Sequence, residues 1–375
     1  MAPPTRRDLD VTAKQLGSWL SHRLDGATGV EIGPLQNAAS GFSNETILFD
    51  ASWTQDGRRR SEPLVLRIQP SEFCLYYQAP EFFESQFRLL EALGSQSSVP
   101  VPKVLLYEED ADWLGAAFFL MERVSGRILA DVPPYFAGGW LHDANQQEQR
   151  DLWMSAVKTV ATINTVDWRA VGLDFLPDAA DPGFDARLRY CLDAFEWARG
   201  GSANPVVEQV RDWLVENRPD QTEPAVLSWG DTRLGNLVFD TLKPVAVLDW
   251  EMASLGPPQQ DMAWWLFVDR AYFGDLHTGD PRDPRSLPGL PSREQTLEHW
   301  AHLTGFSIDH MHFHEVFAGF RMAVVLQRMG TLFKRFGVVG PDSRWAANNV
   351  ATQALAAMIG IAHPDPEPMP SILTT

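Results

Sequence analysis

The sequence predicts an α+β chain whose first third is rich in strands and whose remainder is mainly helical. Three observations carry this. Short apolar runs joined by turns fill much of the stretch from Thr46 to Val124. Helical periodicity takes over from about Asp143. A single hairpin interrupts it, with Leu237-Val238-Phe239 and Val245-Ala246-Val247-Leu248 around the turn Asp240-Thr241-Leu242-Lys243-Pro244. At 375 residues the chain is long enough for two or three domains, or two lobes.

The elements follow in order. Leu9, Val11, Leu16, Trp19, Leu20 and Leu24 are spaced as one face of a helix over residues 8–25. A loop with Ser40, Gly41 and Ser43-Asn44 precedes a strand from Thr46 to Trp53. Asp56-Gly57 is a turn signal, and Pro63 to Ile68 is the returning strand. On that strand Leu66 and Ile68 share one face, Val65 and Arg67 the other. Glu81 to Leu93 is a helix striped by Phe83, Phe87 and Leu90. An apolar strand begins at Phe118 and runs into a glycine-bearing linker at Val124-Ser125-Gly126. Helices are expected over 143–168, 187–198, 205–217, 292–303, 313–336 and 345–361. Residues 273–292 form a long loop, and the Pro-rich stretch 364–370 a mobile tail.

A net charge of −18 argues against binding nucleic acid or an anionic membrane through a basic surface. It suits a cationic substrate, although whole-chain charge says little about one pocket. No stretch approaches the ~20 apolar residues of a membrane span. The opening Met1 to Asp8 lacks a signal-peptide run. Cys74 and Cys191 make no Cys-x-x-Cys pair, and buried thiols in a reducing compartment are expected. A cytoplasmic location is the expectation. No Gly-x-Ser-x-Gly elbow, Walker loop or internal repeat is found.

The chemistry concentrates at the hairpin. Ser228-Trp229-Gly230-Asp231 leads to Asn236, five residues beyond Asp231, and Asp249-Trp250-Glu251 follows the second strand. A hairpin doubles the chain back, so Asn236 and Asp249 come close, with Asp231 one tight loop away. Magnesium takes hard oxygen ligands, usually one or two carboxylates beside substrate phosphates. Phosphoryl transfer also needs a group to receive the attacking hydroxyl's proton. The spacing resembles the catalytic loop of the kinase superfamily, and most of all that of aminoglycoside phosphotransferases and choline kinases. There His-Gly-Asp is followed by four residues, Asn, and a later Asp. The resemblance implies Asp231 as catalytic base and Asn236 and Asp249 as magnesium ligands. Trp229 stands where the family usually has His, a position that mainly supports the loop.

The resemblance covers roughly residues 30–335. It implies a protein-kinase-like two-lobe fold, with a small antiparallel-sheet N-terminal lobe over 1–122 and a larger, mainly helical lobe over 123–375. ATP and magnesium would sit in the cleft. Ser43 and Asn44 would close over the phosphates, and Arg67, where most kinases have Lys, would pair with them. The helical Glu that usually holds this basic residue is replaced by Gln86. Glu84 lies about 160° away around the helix. Adenine would meet the backbone around Glu122 and Val124. Asn164 falls where the family often has His. Asp261 could cap the helix it opens or brace the catalytic loop.

Trp264, Trp265, Tyr272 and Arg321, with His310, His312 and His314, are candidate acceptor-pocket residues, although helical aromatics are more often core. His312 and His314 diverge on a helix, so no zinc site is expected. The implied function is ATP-dependent transfer of the γ-phosphoryl group to a hydroxyl of a small molecule. Leu-Arg-x-x-Pro after the second strand and Asp-Trp-Glu resemble phosphotransferase domains found beside acyl-CoA enzymes, so the acceptor is a hydroxylated acyl compound or an aminoglycoside. The alternative is a nucleotide-binding module without activity, which Gln86 and Arg67 would suit. A protein kinase is disfavoured because no Ala-Pro-Glu follows Asp249.

Overall fold

The computed structural model describes residues 7–38, 44–70, 74–78, 80, 82–131, 134–220, 223–273, 287–365 and 367–370. It divides into two units, Met1–Gly94 with Pro102–Val124, and Ser95–Val101 with Ser125–Thr375.

The first unit is built on a six-stranded sheet. Helix α1 (Leu9–Arg23) starts at Asp8, whose carboxylate accepts from the N–H groups of Asp10 and Val11. Strands β1 (Thr28–Ile32), β2 (Gln36–Asn37), β3 (Glu45–Gln55), β4 (Arg58–Ile68), β5 (Val104–Glu108) and β6 (Phe118–Glu122) follow. Their order is β1-β3-β4-β6-β5, with β2 beside β3 and antiparallel pairing throughout. β3 and β4 stay in register from Glu45 opposite Ile68 to Gln55 opposite Arg58, turning on Asp56 and Gly57, both at positive φ. Both strands outrun their apolar segments: Arg58 to Pro63 are exposed, held by the ladder together with Arg59 on Glu31 and Ser52.

The alternation expected on β4 is present. Leu66 and Ile68 join Leu16, Trp19 and Leu20 of α1, with Phe118 and Leu120, in one buried cluster. Burying each such side chain is worth about 1.5–3 kcal/mol. Arg67 faces the other side, opposite Phe119. That side carries α2 (Phe83–Gln96), whose Phe83 and Phe87 rings lie 5.3 and 5.8 Å from Phe119.

In the second unit, α3 (Gln146–Asn164) is opened by a capping box at Asn145 and Glu148. α4 (Phe184–Arg199), α5 (Pro205–Glu216), α6 (Gln259–Phe273), α7 (Arg293–Thr304), α8 (Met311–Arg335) and α9 (Val350–Ile359) complete the described helices. Strand β7 (Val226–Ser228) pairs with β10 (Ser254–Gly256), and between them β8 (Leu237–Asp240) pairs with β9 (Lys243–Val247). α8 packs against α4, α5, α6 and α9. A Cβ on Gly319 would lie 2.6 Å from Phe267 and 2.7 Å from Leu355, so glycine lets α6 and α9 approach.

Three expectations change. By length and composition alone α8 could cross a membrane, although the sequence is expected to hold no segment approaching a membrane span. Here 83% of its most apolar window is buried, and packing on four helices accounts for that composition. The final helix starts at Val350 rather than Trp345, because Asn349 caps it through the N–H groups of Ala351 and Thr352. The Pro-rich stretch is tied down: Glu367 accepts from Ser343 Oγ and from the Arg344 N–H, each at 2.9 Å. Residues 274–286 of the long loop lie outside the described residues.

One buried carboxylate makes the first unit sensitive to pH. Glu108 accepts from the Trp19 indole N–H at 2.7 Å. Burial pushes its pKa up, but this bond, the Asp110 N–H and Arg23 outweigh burial and hold it below the ordinary 4.5. A depressed carboxylate stabilises the fold above its unfolded pKa and loses that contribution as pH falls through its folded value. Replacing Trp19 by Phe is expected to cost about 1.5–3 kcal/mol at pH 7. The difference should shrink below pH 4.5, which denaturant unfolding against pH will measure.

Candidate active site

The loop between β7 and β8 turns sharply because glycine permits it. Gly230 sits at φ +97°, and a Cβ there would lie 2.3 Å from the Met252 carbonyl oxygen. Trp229, in the position the family usually gives to His, is fully buried and donates its indole N–H to the carbonyls of Leu248 (2.8 Å) and Asp249 (3.2 Å). It therefore pins the loop to the strand that delivers Asp249, the supporting role the resemblance implies.

Asp261 holds the loop from behind. It lies inside the first turn of α6 rather than before it, so it is no N-cap. Its Oδ1 accepts from Ser228 Oγ (2.6 Å), the Gly230 N–H (2.9 Å) and Thr232 Oγ1 (2.9 Å). Its Oδ2 accepts from the Trp229 N–H (2.9 Å) and Asn164 Nδ2 (2.8 Å). Asn164 also donates to the Leu227 carbonyl and accepts from the Trp300 indole at 3.0 Å. Of the two roles open to Asp261, the geometry selects the brace.

Asp231 then stands 8% exposed at the head of the loop. Its Oδ2 accepts from Asn236 Nδ2 at 2.7 Å and Arg233 Nε at 3.1 Å, and its Oδ1 from the Trp264 indole at 3.0 Å. Asn236 spends its amide on Asp231, since Nδ2 also donates to the Asp231 carbonyl at 3.0 Å. Its Oδ1 is therefore the atom it can offer a cation. The Leu248 N–H donates to the Asn236 carbonyl at 2.9 Å, so the hairpin returns Asp249 to the same place. Asp249 itself is at φ +60°. Arg233 ties the group together, with Nη1 on Asp131 at 2.6 Å. Burial opposes its charge, yet Asp231, Asp131 and Asp249 outweigh burial and raise its pKa above the usual range. One carboxamide oxygen and one nearby carboxylate are the hard donors magnesium takes alongside phosphate. Among the described residues no three His, Cys, Asp or Glu side chains form a metal cage.

The other site residues lie in the first unit. Asn44 and Gln86 are buried and joined, Asn44 Nδ2 donating to Gln86 Oε1 at 3.3 Å. Arg67 is half-buried on β4. Glu122 ends β6, exposed, its N–H on the Lys103 carbonyl at 2.8 Å, and Val124 is half-buried two residues on. Ser43 lies outside the described residues.

The acceptor candidates separate. Trp264 and Arg321 meet at Asp231, whereas Trp265 packs edge-on against Trp153 and His312 against Trp213. His310 and His314 line a different cavity, of about 380 Å³, with Asp220, Glu223 and Phe313. The Tyr272 side chain lies outside the described residues. Arg233 and Asp131 were not singled out in the sequence. The arginine two residues past Asp231 was the available signal, but its partner lies 102 residues away.

A family model described as the phosphotransferase enzyme family matches residues 35–291. The chain belongs to that family. Among curated proteins it is 26% identical over 333 residues to acyl-CoA dehydrogenase family member 11 of Rattus norvegicus, covering 83% of this chain and 38% of the relative. It is 30% identical over 275 residues to family member 10 of Mus musculus, covering 72% of this chain and 24% of that protein. The chain thus spans well under half the length of these relatives. Among solved structures, a Ralstonia eutropha protein assigned to the aminoglycoside phosphotransferases shares 25% identity with a TM-score of 0.65, covering 92% of this chain and 95% of that one. A thermostable aminoglycoside phosphotransferase mutant, in complex with AMP-PNP and hygromycin B, is 15% identical with a TM-score of 0.53, over 92% of this chain and 98% of that one. That likeness is one of fold, and the fold is the kinase-like phosphotransferase fold.

The brace should be the costliest single contact in this family member's loop. Replacing Asp261 by Ala leaves buried donors without an acceptor and is expected to destabilise the second unit by at least about 3 kcal/mol. Denaturant unfolding will measure the loss.

Proposed function

We propose that this chain is an ATP-dependent phosphotransferase that moves the γ-phosphoryl group to a hydroxyl of a small molecule. The observation that supports this most is the setting of Asp231, a nearly buried carboxylate clamped at both oxygens and joined directly to Asn236. A carboxylate fixed this way is suited to orient an acceptor hydroxyl and take its proton. As the hydroxyl oxygen bonds to the γ-phosphorus, the bond from that phosphorus to the bridging oxygen breaks, ADP departs, and the proton rests on Asp231.

Asn236 Oδ1 and the Asp249 carboxylate are the groups we assign to magnesium. When bound, the ion neutralises phosphate charge. In the first unit we assign Arg67 to the nucleotide phosphates, with Ser43, Asn44 and Gln86 beside it in this role, and the backbone around Glu122 and Val124 to the base. The named relatives favour a hydroxylated acyl compound, and the solved neighbour bound to hygromycin B favours an aminoglycoside. ATP use fits a cytoplasmic protein.

The test is ATP turnover with and without magnesium against a panel of hydroxyl compounds. Asp231→Asn is expected to lower turnover by about 10²–10⁴-fold while nucleotide still binds. Unchanged turnover would remove Asp231 from the mechanism. Nucleotide binding with no turnover of any acceptor would show the inactive module instead.

A further inference from the structure

A buried cation walls one side of Asp231. The Arg321 guanidinium, from α8, lies over the Trp264 indole, its carbon 4.7 Å from the ring centroid. Its Nη2 reaches the Gly230 carbonyl at 3.4 Å, a long contact next to Asp231 in the chain. Arg321 is 4% exposed, and its Nη1 is buried without a hydrogen-bond partner. No carboxylate among the described residues pairs with it at salt-bridge distance. Burial works against its charge and outweighs the opposing pull of Cys191, Asp261 and Asp231, with Arg187 nearby adding to the burial effect. Arg187 is itself buried, with Nη1 on Asp178 at 2.9 Å and Nε unpartnered. Guanidiniums are donors only. Arg187 is thus neutralised by Asp178, whereas Arg321, with an open N–H next to the Asp231 loop, is suited to an oxygen acceptor and not to an ammonium group.

The lone pairs of Asp231 direct an acceptor toward this wall. Each carboxylate oxygen accepts about two hydrogen bonds. Oδ2 already has Asn236 and Arg233, while Oδ1 has Trp264 alone. The remaining place for an acceptor hydroxyl is on Oδ1, beside the indole that Arg321 covers. A compound seated there brings the atoms next to its hydroxyl toward Nη1.

We propose that Arg321 is the acceptor-recognising residue, and that the acceptor is a hydroxy acid, free or as an acyl ester, whose carboxyl oxygen pairs with Nη1. This rests on the phosphotransferase reading and chooses between its two acceptor classes. A polycationic aminoglycoside would bring ammonium groups against the Arg321 guanidinium.

The experiment compares 3-hydroxybutanoate, its methyl ester, 4-aminobutan-2-ol and kanamycin as acceptors, with ATP and magnesium. The wild-type protein should prefer the acid or the ester over both amines by about 10- to 100-fold in kcat/KM. A preference for the acid over the ester shows a free carboxylate is read, and the reverse an acyl carbonyl. Arg321→Gln should raise the acceptor KM by about tenfold or more, with a smaller change in kcat. Arg321→Ala should regain activity on added guanidinium, which a merely structural loss would not allow. Should the variants fail to fold, inhibition of the wild type decides: butanoate should compete with the acceptor and butylamine should not. Preference for either amine, an unchanged acceptor KM in Arg321→Gln, or equal inhibition by butylamine would overturn the assignment while leaving phosphoryl transfer standing. Absence of magnesium-dependent ATP turnover with every acceptor and with water would instead overturn the phosphotransferase reading, and this inference with it.

Discussion

The second unit depends on one buried charge. An isolated carboxylate in an apolar interior is very costly, and Asp261 is fully buried. Five donors make it tolerable, drawn from α3, the end of β7 and the turn that follows. Each donor constrains a different atom of the loop, so the backbone from Ser228 to Thr232 has little freedom left. Asp231 lies within that span, and its own carboxylate is free of Asp261. The loop is thus held by one carboxylate so that another is fixed at its head, with Trp229 and Gly230 closing the alternatives on either side.

Much of this was legible in the sequence where the signal is local. The hairpin could be read because two apolar runs flank a polar turn, and a hairpin necessarily returns Asp249 toward Asn236. Arg67 could be placed on a strand face by alternation alone. The role of Asp261 could not be settled, since an Asp near a helix start serves as cap or brace equally well by composition. The choice turned on α6 beginning at Gln259, three residues earlier than a cap at Asp261 requires. The Arg233–Asp131 pair and the Trp264 indole on Asp231 were not legible, because both join residues far apart in the chain and carry no periodic pattern. α8 illustrates the converse: composition alone suits a membrane as well as a core, and only its four helical neighbours decide.

Charge separates the same two scales. A net charge of −18 describes the surface, where most acidic side chains are hydrated and screened. Around Asp231 the balance is local and different, with Arg233 among three carboxylates and Arg321 with none in contact. Arg233 is a cation already satisfied, so it restrains Asp231 and Asp131 rather than recruiting anything. Arg321 is buried with donors to spare. Whole-chain acidity suited a cationic ligand, yet two arginines, Arg233 and Arg321, stand next to this carboxylate or its loop.

Asp249 stands in a backbone conformation that a side chain makes costly. Among the described residues, five non-glycine positions have positive φ. Asp56 and Thr241 occupy hairpin tips, where the turn requires it. Asp249 lies beyond the end of β9, where no hairpin turn accounts for the conformation. Glycine would adopt it without strain, whereas a side chain costs on the order of 1 kcal/mol or more. Aspartate tolerates the left-handed region better than most residues but still bears part of that cost. The Trp229 indole on the Asp249 carbonyl and the Leu248 N–H on Asn236 hold the backbone in place from both sides. A stability-driven sequence would put glycine there. Under the phosphotransferase proposal, the carboxylate that stands there instead, returned by the hairpin toward Asn236, is what sets this hairpin apart from a purely structural one.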